Sequence, residues 1–126
     1  MNAKKKKLPT VYSCSGCSSA AQMANYLALE LNRKKIAKMS CIAGVGGKVK
    51  GLVNEAKNSN SIVALDGCHL KCVENCLNGV GLKPTHHYIL SNYNVQKNFD
   101  EDFNQDTADS LRDLITDELD TKRLTS

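Results

Sequence analysis

Near the middle of this chain runs the segment Ile62-Val63-Ala64-Leu65-Asp66-Gly67-Cys68. Its first four residues are apolar without interruption, and they lie between the polar breaker Asn58-Ser59-Asn60 and the turn-prone Asp66-Gly67. A short apolar run without alternation is expected of a strand covered on both faces, the position of a central strand in a parallel sheet.

The segments on either side fit that reading. Upstream, Val45, Val49, Leu52, Val53 and Ala56 form a helical stripe opposite Lys48, Lys50, Asn54 and Lys57. Before it, Lys38 to Ala43 reads as a short strand that ends at Gly44-Val45-Gly46-Gly47. Further back, Leu8 to Ser13 reads as the first strand. A helix is expected from about Ala20 to Lys34, with Ser19 and Gln22 as a capping box and Met23, Leu27 and Leu31 on its apolar face. Downstream, a short helix is expected from about Leu70 to Asn78, and a fourth strand over His87-Tyr88-Ile89-Leu90 after Pro84. A last helix, capped by Asp106 or Thr107, turns Ala108, Leu111, Leu114, Ile115 and Leu119 inward. Strands alternating with helices predict right-handed crossovers and a parallel sheet. The expected architecture is therefore α/β: a small four-stranded parallel sheet in the order 2-1-3-4, flanked by helices as a flavodoxin-like or Rossmann-like three-layer sandwich. Residues 8–126 are expected to form one metal-binding domain.

Composition narrows the function classes. The 126 residues are 41% hydrophobic and 24% charged, ordinary for a globular domain. Aromatic residues are 5% and Trp is absent, which argues against a stacking platform for nucleic acid. Lys4 to Lys7 supply the equivalent of the whole formal net charge of +4. The basic character therefore belongs to residues 1–7, expected to be a disordered, solvated leader. No apolar stretch follows it as a secretory signal requires, and no run approaches the ~18 residues that span a bilayer. The expectation is a cytoplasmic protein that binds a metal ion, with neither nucleic acid nor membrane as partner.

Six cysteines in such a chain point to metal binding or thiol chemistry before structural disulfides. In a parallel sheet the C-terminal ends of all strands share one edge, where ligands bind at the switch point between crossovers. Cys14 and Cys17 follow the first strand, Cys41 lies near the end of the second, and Cys68 follows the third. Cys72 is four residues beyond Cys68, one helical turn if Cys68 opens the helix. These five thiols are expected at one edge. Zinc takes about four soft ligands, and thiolates are among the best; an iron–sulfur cluster is the alternative. Cys76, displaced around the helix, is expected in the core.

Other groups rank lower. His86 and His87 begin the fourth strand, which puts them at the edge opposite the cysteines and outside the ligand set. His69 is expected to be exposed. Asp66 either serves as a base or, more commonly at such a position, caps the following helix. Gly44 to Gly47 invites an anion-site reading but lacks the Lys-Ser/Thr ending of a phosphate loop. A thiol–disulfide oxidoreductase using Cys14 and Cys17 with Cys68 or Cys72 is the competing function, since a helix N-terminus after C-x-x-C favours thiolate.

Tyr12-Ser-Cys-Ser-Gly-Cys17, Met39-Ser-Cys-Ile-Ala-Gly-Val-Gly-Gly47 and Ala64-Leu-Asp-Gly-Cys-His-Leu-Lys-Cys72 resemble the signature blocks of the DGC-domain family of zinc-binding proteins. The resemblance covers about residues 10 to 97. It implies that Cys14, Cys17, Cys41, Cys68 and Cys72 correspond to family cysteines that hold metal. One departure is Asn94 before Val95, where the family pattern carries Gly; Asn also tolerates left-handed backbone.

Overall fold

The computed structural model describes residues 7–125. The expected leader, apart from Lys7, lies outside the described residues. Four parallel strands, β1 (Thr10–Ser13), β2 (Lys38–Met39), β3 (Ile62–Asp66) and β4 (His86–Ile89), form one sheet in the order β2-β1-β3-β4. Among the described residues five α-helices surround it: α1 (Ser19–Arg33), α2 (Ile42–Gly46), α3 (Lys50–Lys57), α4 (Cys72–Asn78) and α5 (Gln105–Thr125). The α/β class and the strand order expected from the sequence are the observed ones.

The residues of β3 are buried throughout because both faces are covered. On one face Val11, Val63, Leu65 and Tyr88 pack beneath α1 and α5, whose Leu27, Leu31, Ala108 and Ile115 are fully buried. On the other face Tyr12, Ile62 and Ala64 pack against Val45, Ala56, Val73 and Leu77 from α2, α3 and α4. Full burial of each large aliphatic side chain contributes about 1.5–3 kcal/mol. Chain direction changes between β1 and β3: α1 leads outward to β2 over one face, and α2 with α3 returns to β3 over the other. The C-terminal ends of β1 and β3 therefore flank the switch point.

Several boundaries differ from expectation, each for a local reason. β2 pairs only Lys38 and Met39 with β1, since Cys41 turns to cap α2 and Ile42 already belongs to that helix. The glycine-rich turn is thus mostly helical. A Cβ on Gly44 would lie 2.0 Å from Leu52 Cδ1, so a larger residue there would force the Leu52 side chain to move. Lys48, at φ 59°, separates α2 from α3. The N-cap of α1 is Ser18 and not Ser19: its hydroxyl accepts from Ala21 N at 3.2 Å. Gln22 falls one position too far for the capping box and donates instead to Gly16 O at 3.1 Å. β4 begins one residue early, at His86, and Leu90 enters a 3₁₀ turn, Leu90–Tyr93. That turn ends at Asn94 with φ 64°, the left-handed conformation anticipated for it. Asn104 precedes α5, its side chain accepting from Thr107 N at 2.9 Å, so neither Asp106 nor Thr107 is the cap.

Candidate functional site

The dipeptide Asp66-Gly67, at the end of β3, is the point from which the cysteine edge is organised. Gly67 is pressed against the first turn of α1. A Cβ there would lie 2.8 Å from both Ala20 C and Ala21 N, and backbone cannot give way as a flexible side chain can. Its N–H donates to Cys14 Sγ at 3.3 Å. Cys14 itself extends the ladder by one rung, its N–H bonded to Leu65 O at 3.2 Å. Burial pushes the Cys14 thiol up to about 11, the Gly67 N–H opposes this, and the nearby charges of Asp66 and Cys72 add to it.

Asp66 holds the other side. Its side chain is 1% exposed, so every lone pair left without a donor would be costly. Oδ1 accepts from Val73 N at 2.8 Å and Oδ2 from Glu74 N at 3.4 Å. His87 Nε2 lies 2.7 Å from Oδ2 and is the donor, since a carboxylate only accepts. Asp66 therefore caps α4, the commoner of its two expected roles. The residue at the N-cap position, Lys71, is left-handed at φ 55° and contributes no side-chain cap. Cys72 is the first residue of this helix. Cys68 precedes it in a non-helical turn, so Cys68 does not open the helix, and the one-turn stacking of the two thiols does not hold.

Cys68 is half-buried, and its Sγ accepts from Lys97 Nζ at 3.4 Å. Lys97 is brought there by Ser19, which ties down the segment after β4. The Ser19 hydroxyl donates to Gln96 O at 3.2 Å and accepts from Asn98 N at 3.0 Å, while its N–H reaches Asn98 O at 2.7 Å. The ammonium also lies 5.4 Å from the ring centroid of Phe99. Leu70 and Phe99, 65% and 69% exposed, project beside this edge.

The remaining cysteines are less tightly tied. Cys41 is exposed at the N-cap of α2, its Sγ accepting from Gly44 N at 3.4 Å. Burial raises the pKa of Tyr12, the Ser40 side chain opposes this, and Glu55 and Cys41 add smaller contributions in the raising direction. Cys17 is exposed on the loop between β1 and α1, and His69 is exposed as expected. Cys76 is half-buried and not a core residue. It packs where a Cβ on Gly46 would stand 2.9 Å from its sulfur, and burial raises its pKa, with smaller contributions from Cys72 and Asp66.

Cys14 is thus bonded to Gly67, Cys68 follows Gly67 in the chain, Cys72 opens the helix that Asp66 caps, Cys41 caps α2, and Cys17 projects from its loop. Among the described residues no three His, Cys, Asp or Glu side chains already stand in a metal-holding arrangement. Three of the five sulfurs nevertheless accept an N–H bond, from Gly67, Gly44 and Lys97.

The DGC domain model matches residues 10–115. The chain belongs to the DGC-domain family. Its cysteine edge lies within the matched span. The chain is also 51% identical over 104 residues to the anaerobic and virulence modulator AnvM of Pseudomonas aeruginosa, covering 82% of this chain and 79% of that protein. No solved structure matches it. No helix among the described residues is long and apolar enough to cross a membrane.

Sequence reasoning missed three contributors. A strand start alone puts His87 at the far edge, because the sequence does not encode its register. With His87 opposite Ala64, the ring lies on the α4 face and reaches forward to Asp66. Lys97 carries no motif and is found only through the Ser19 clamp. Gly67 was read as a turn residue, whereas its requirement is close approach to α1.

Proposed function

We propose that this DGC-domain protein binds zinc through thiolates at the C-terminal edge of its sheet, as a module for metal handling or sensing. The observation that carries the reading is the strand order β2-β1-β3. It brings together the strand ends that lead into Cys14, Cys17, Cys41, Cys68 and the helix start at Cys72, with Cys14 bonded to the peptide that precedes Cys68. The donor set fits a thiophilic cation. All five candidates are sulfur, and N–H groups aimed at ligand sulfurs are the outer support that a charged thiolate shell requires. Cys14, Cys68 and Cys72 would form the fixed part of the shell, with Cys17 or Cys41 closing it from a more exposed segment. Zinc would supply the cation that neutralises their crowded charge. AnvM is named as a modulator of anaerobic and virulence functions, and a sensing role for this chain would agree with that name.

Metal analysis of anaerobically purified wild-type protein against Cys68→Ser tests this reading. The expected result is about one zinc per wild-type chain, colourless, with thiols protected from alkylation, and a marked loss in the variant. A metal-free wild type with freely reactive thiols that form a disulfide on oxidation would favour thiol–disulfide exchange instead. A brown protein would indicate an iron–sulfur cluster.

A further inference from the structure

We propose that His87, through its hydrogen bond to the buried Asp66 carboxylate, is a positioning residue that fixes Cys72 relative to Cys14 and Cys68. The inference rests on the zinc reading above and assigns a role to a residue outside the thiol set.

Three observations carry it. First, Asp66 is the fixed point shared by two parts of the edge. Its carboxylate holds Val73 N and Glu74 N, which follow Cys72 directly, while the next peptide, at Gly67, donates to Cys14 Sγ. Second, α4 has no side-chain cap at its own N-cap position, where Lys71 is left-handed. The orientation of its first turn therefore depends on a carboxylate from β3. Third, His87 makes the shortest bond to that carboxylate, 2.7 Å, on the same oxygen that receives only a 3.4 Å bond from Glu74 N. Without the imidazole, Oδ2 keeps a single weak donor in a site that is 1% exposed to solvent. A buried carboxylate in that condition rotates toward a better donor or draws in water, and either response moves the first turn of α4. Glu74 Oε2 lies 3.8 Å from Nδ1, which sets the ring beside the first turn of α4. The ring thus bridges the end of β3 and the first turn of α4.

The role differs from that of a ligand. His87 Nε2 is committed to Asp66, and the ring reaches the metal site only through the carboxylate and the helix. Outer groups of this kind typically change metal affinity 10–100-fold when removed.

The test uses the full chain and three proteins: wild type, His87→Leu, which removes the donor, and His87→Gln, whose amide nitrogen can still donate to Asp66. Zinc affinity is measured by competition with a chromophoric chelator, and the cobalt(II)-substituted proteins are compared by absorption. His87→Leu is expected to weaken zinc binding by about tenfold or more and to shift the cobalt bands. His87→Gln is expected to stay within about threefold of wild type. Zinc titration of the wild type followed by the ring nitrogen signals of His87 supplies a readout without mutation, needed if the leucine variant does not fold. Those signals should move and saturate with zinc. Equal affinity and spectra in His87→Leu and wild type, ring signals unmoved by zinc, or a glutamine variant as weak as the leucine one would each overturn the role. A wild type that takes up no zinc would instead overturn the reading on which it rests.

Discussion

The sheet face under α1 and α5 and the cysteine edge are held by opposite means. The face is closed by apolar packing and by a polar network in which each partner has several others. Tyr26 donates to Asp109 at 2.7 Å, and Arg112 bridges Asp109 and Glu30 at 3.2 Å each. The edge instead depends on a small number of hydrogen bonds between segments distant in sequence. Asp66 meets His87, Gly67 meets Cys14 and Lys97 meets Cys68, around thiols that are exposed or half-exposed. Left-handed backbone at residues other than glycine occurs at Lys71 and Asn94 as well as at Lys35 and Lys48. One region keeps the fold whatever the site does. The other is joined by a few hydrogen bonds between loops and helix ends.

That contrast can be broken from either side. The largest effect is expected from Leu27→Ala, a side chain fully buried between α1, α5 and the sheet. Denaturant unfolding should show a loss of about 2–5 kcal/mol, with the zinc stoichiometry of the remaining folded protein unchanged. Gly67→Ala should cost less, about 1–3 kcal/mol, because its Cβ meets α1 backbone at 2.8 Å. Unlike Leu27→Ala it should also weaken zinc binding, since the peptide between Cys14 and Cys68 must move. Normal affinity in Gly67→Ala, read by chelator competition, would separate the fold from the site more sharply than the structure implies.

Tyr88 offers a pH test of the packed face. Burial, then the Glu118 carboxylate that accepts its hydroxyl proton, raises its pKa above the ordinary 10.0. The unfolded chain therefore ionises this group first. The stability it contributes is complete below pH 10 and is lost as pH rises toward the folded value. Unfolding free energies at pH 8 and pH 11 should fall more steeply for wild type than for Tyr88→Phe; parallel slopes would assign the alkaline loss elsewhere. The smallest effect belongs to Gly51→Ala. Gly51 is helical in α3 with nothing within 4 Å of an added Cβ, so thermal melting should show a gain of about 0.5–1 kcal/mol.

How far each region can be read in the sequence follows from the same difference. Ile62 to Leu65 announces a central strand because burial on both faces leaves an unbroken apolar run, and the strand order follows from the crossovers. Ser40 to Ala43 misleads because an extended Cys41 before an apolar Ile42 looks like strand, when the hydrogen bond from Gly44 N to Cys41 Sγ starts a helix. The cysteines declare themselves by residue type. His87 does not: its role depends on a register, Ala64 beside His87, which no local pattern encodes. Asn94 was legible, since few residues besides glycine take a left-handed turn readily.

The central claim is that thiols from different strand ends serve one site. The most direct measurement is the sulfur-to-cobalt charge-transfer absorption of cobalt(II)-loaded wild type, Cys14→Ser, Cys72→Ser and Cys76→Ser. The account predicts a reduced band in Cys14→Ser and in Cys72→Ser, and a band of wild-type intensity in Cys76→Ser. Wild-type intensity in both Cys14→Ser and Cys72→Ser, or a loss in Cys76→Ser alone, would contradict it.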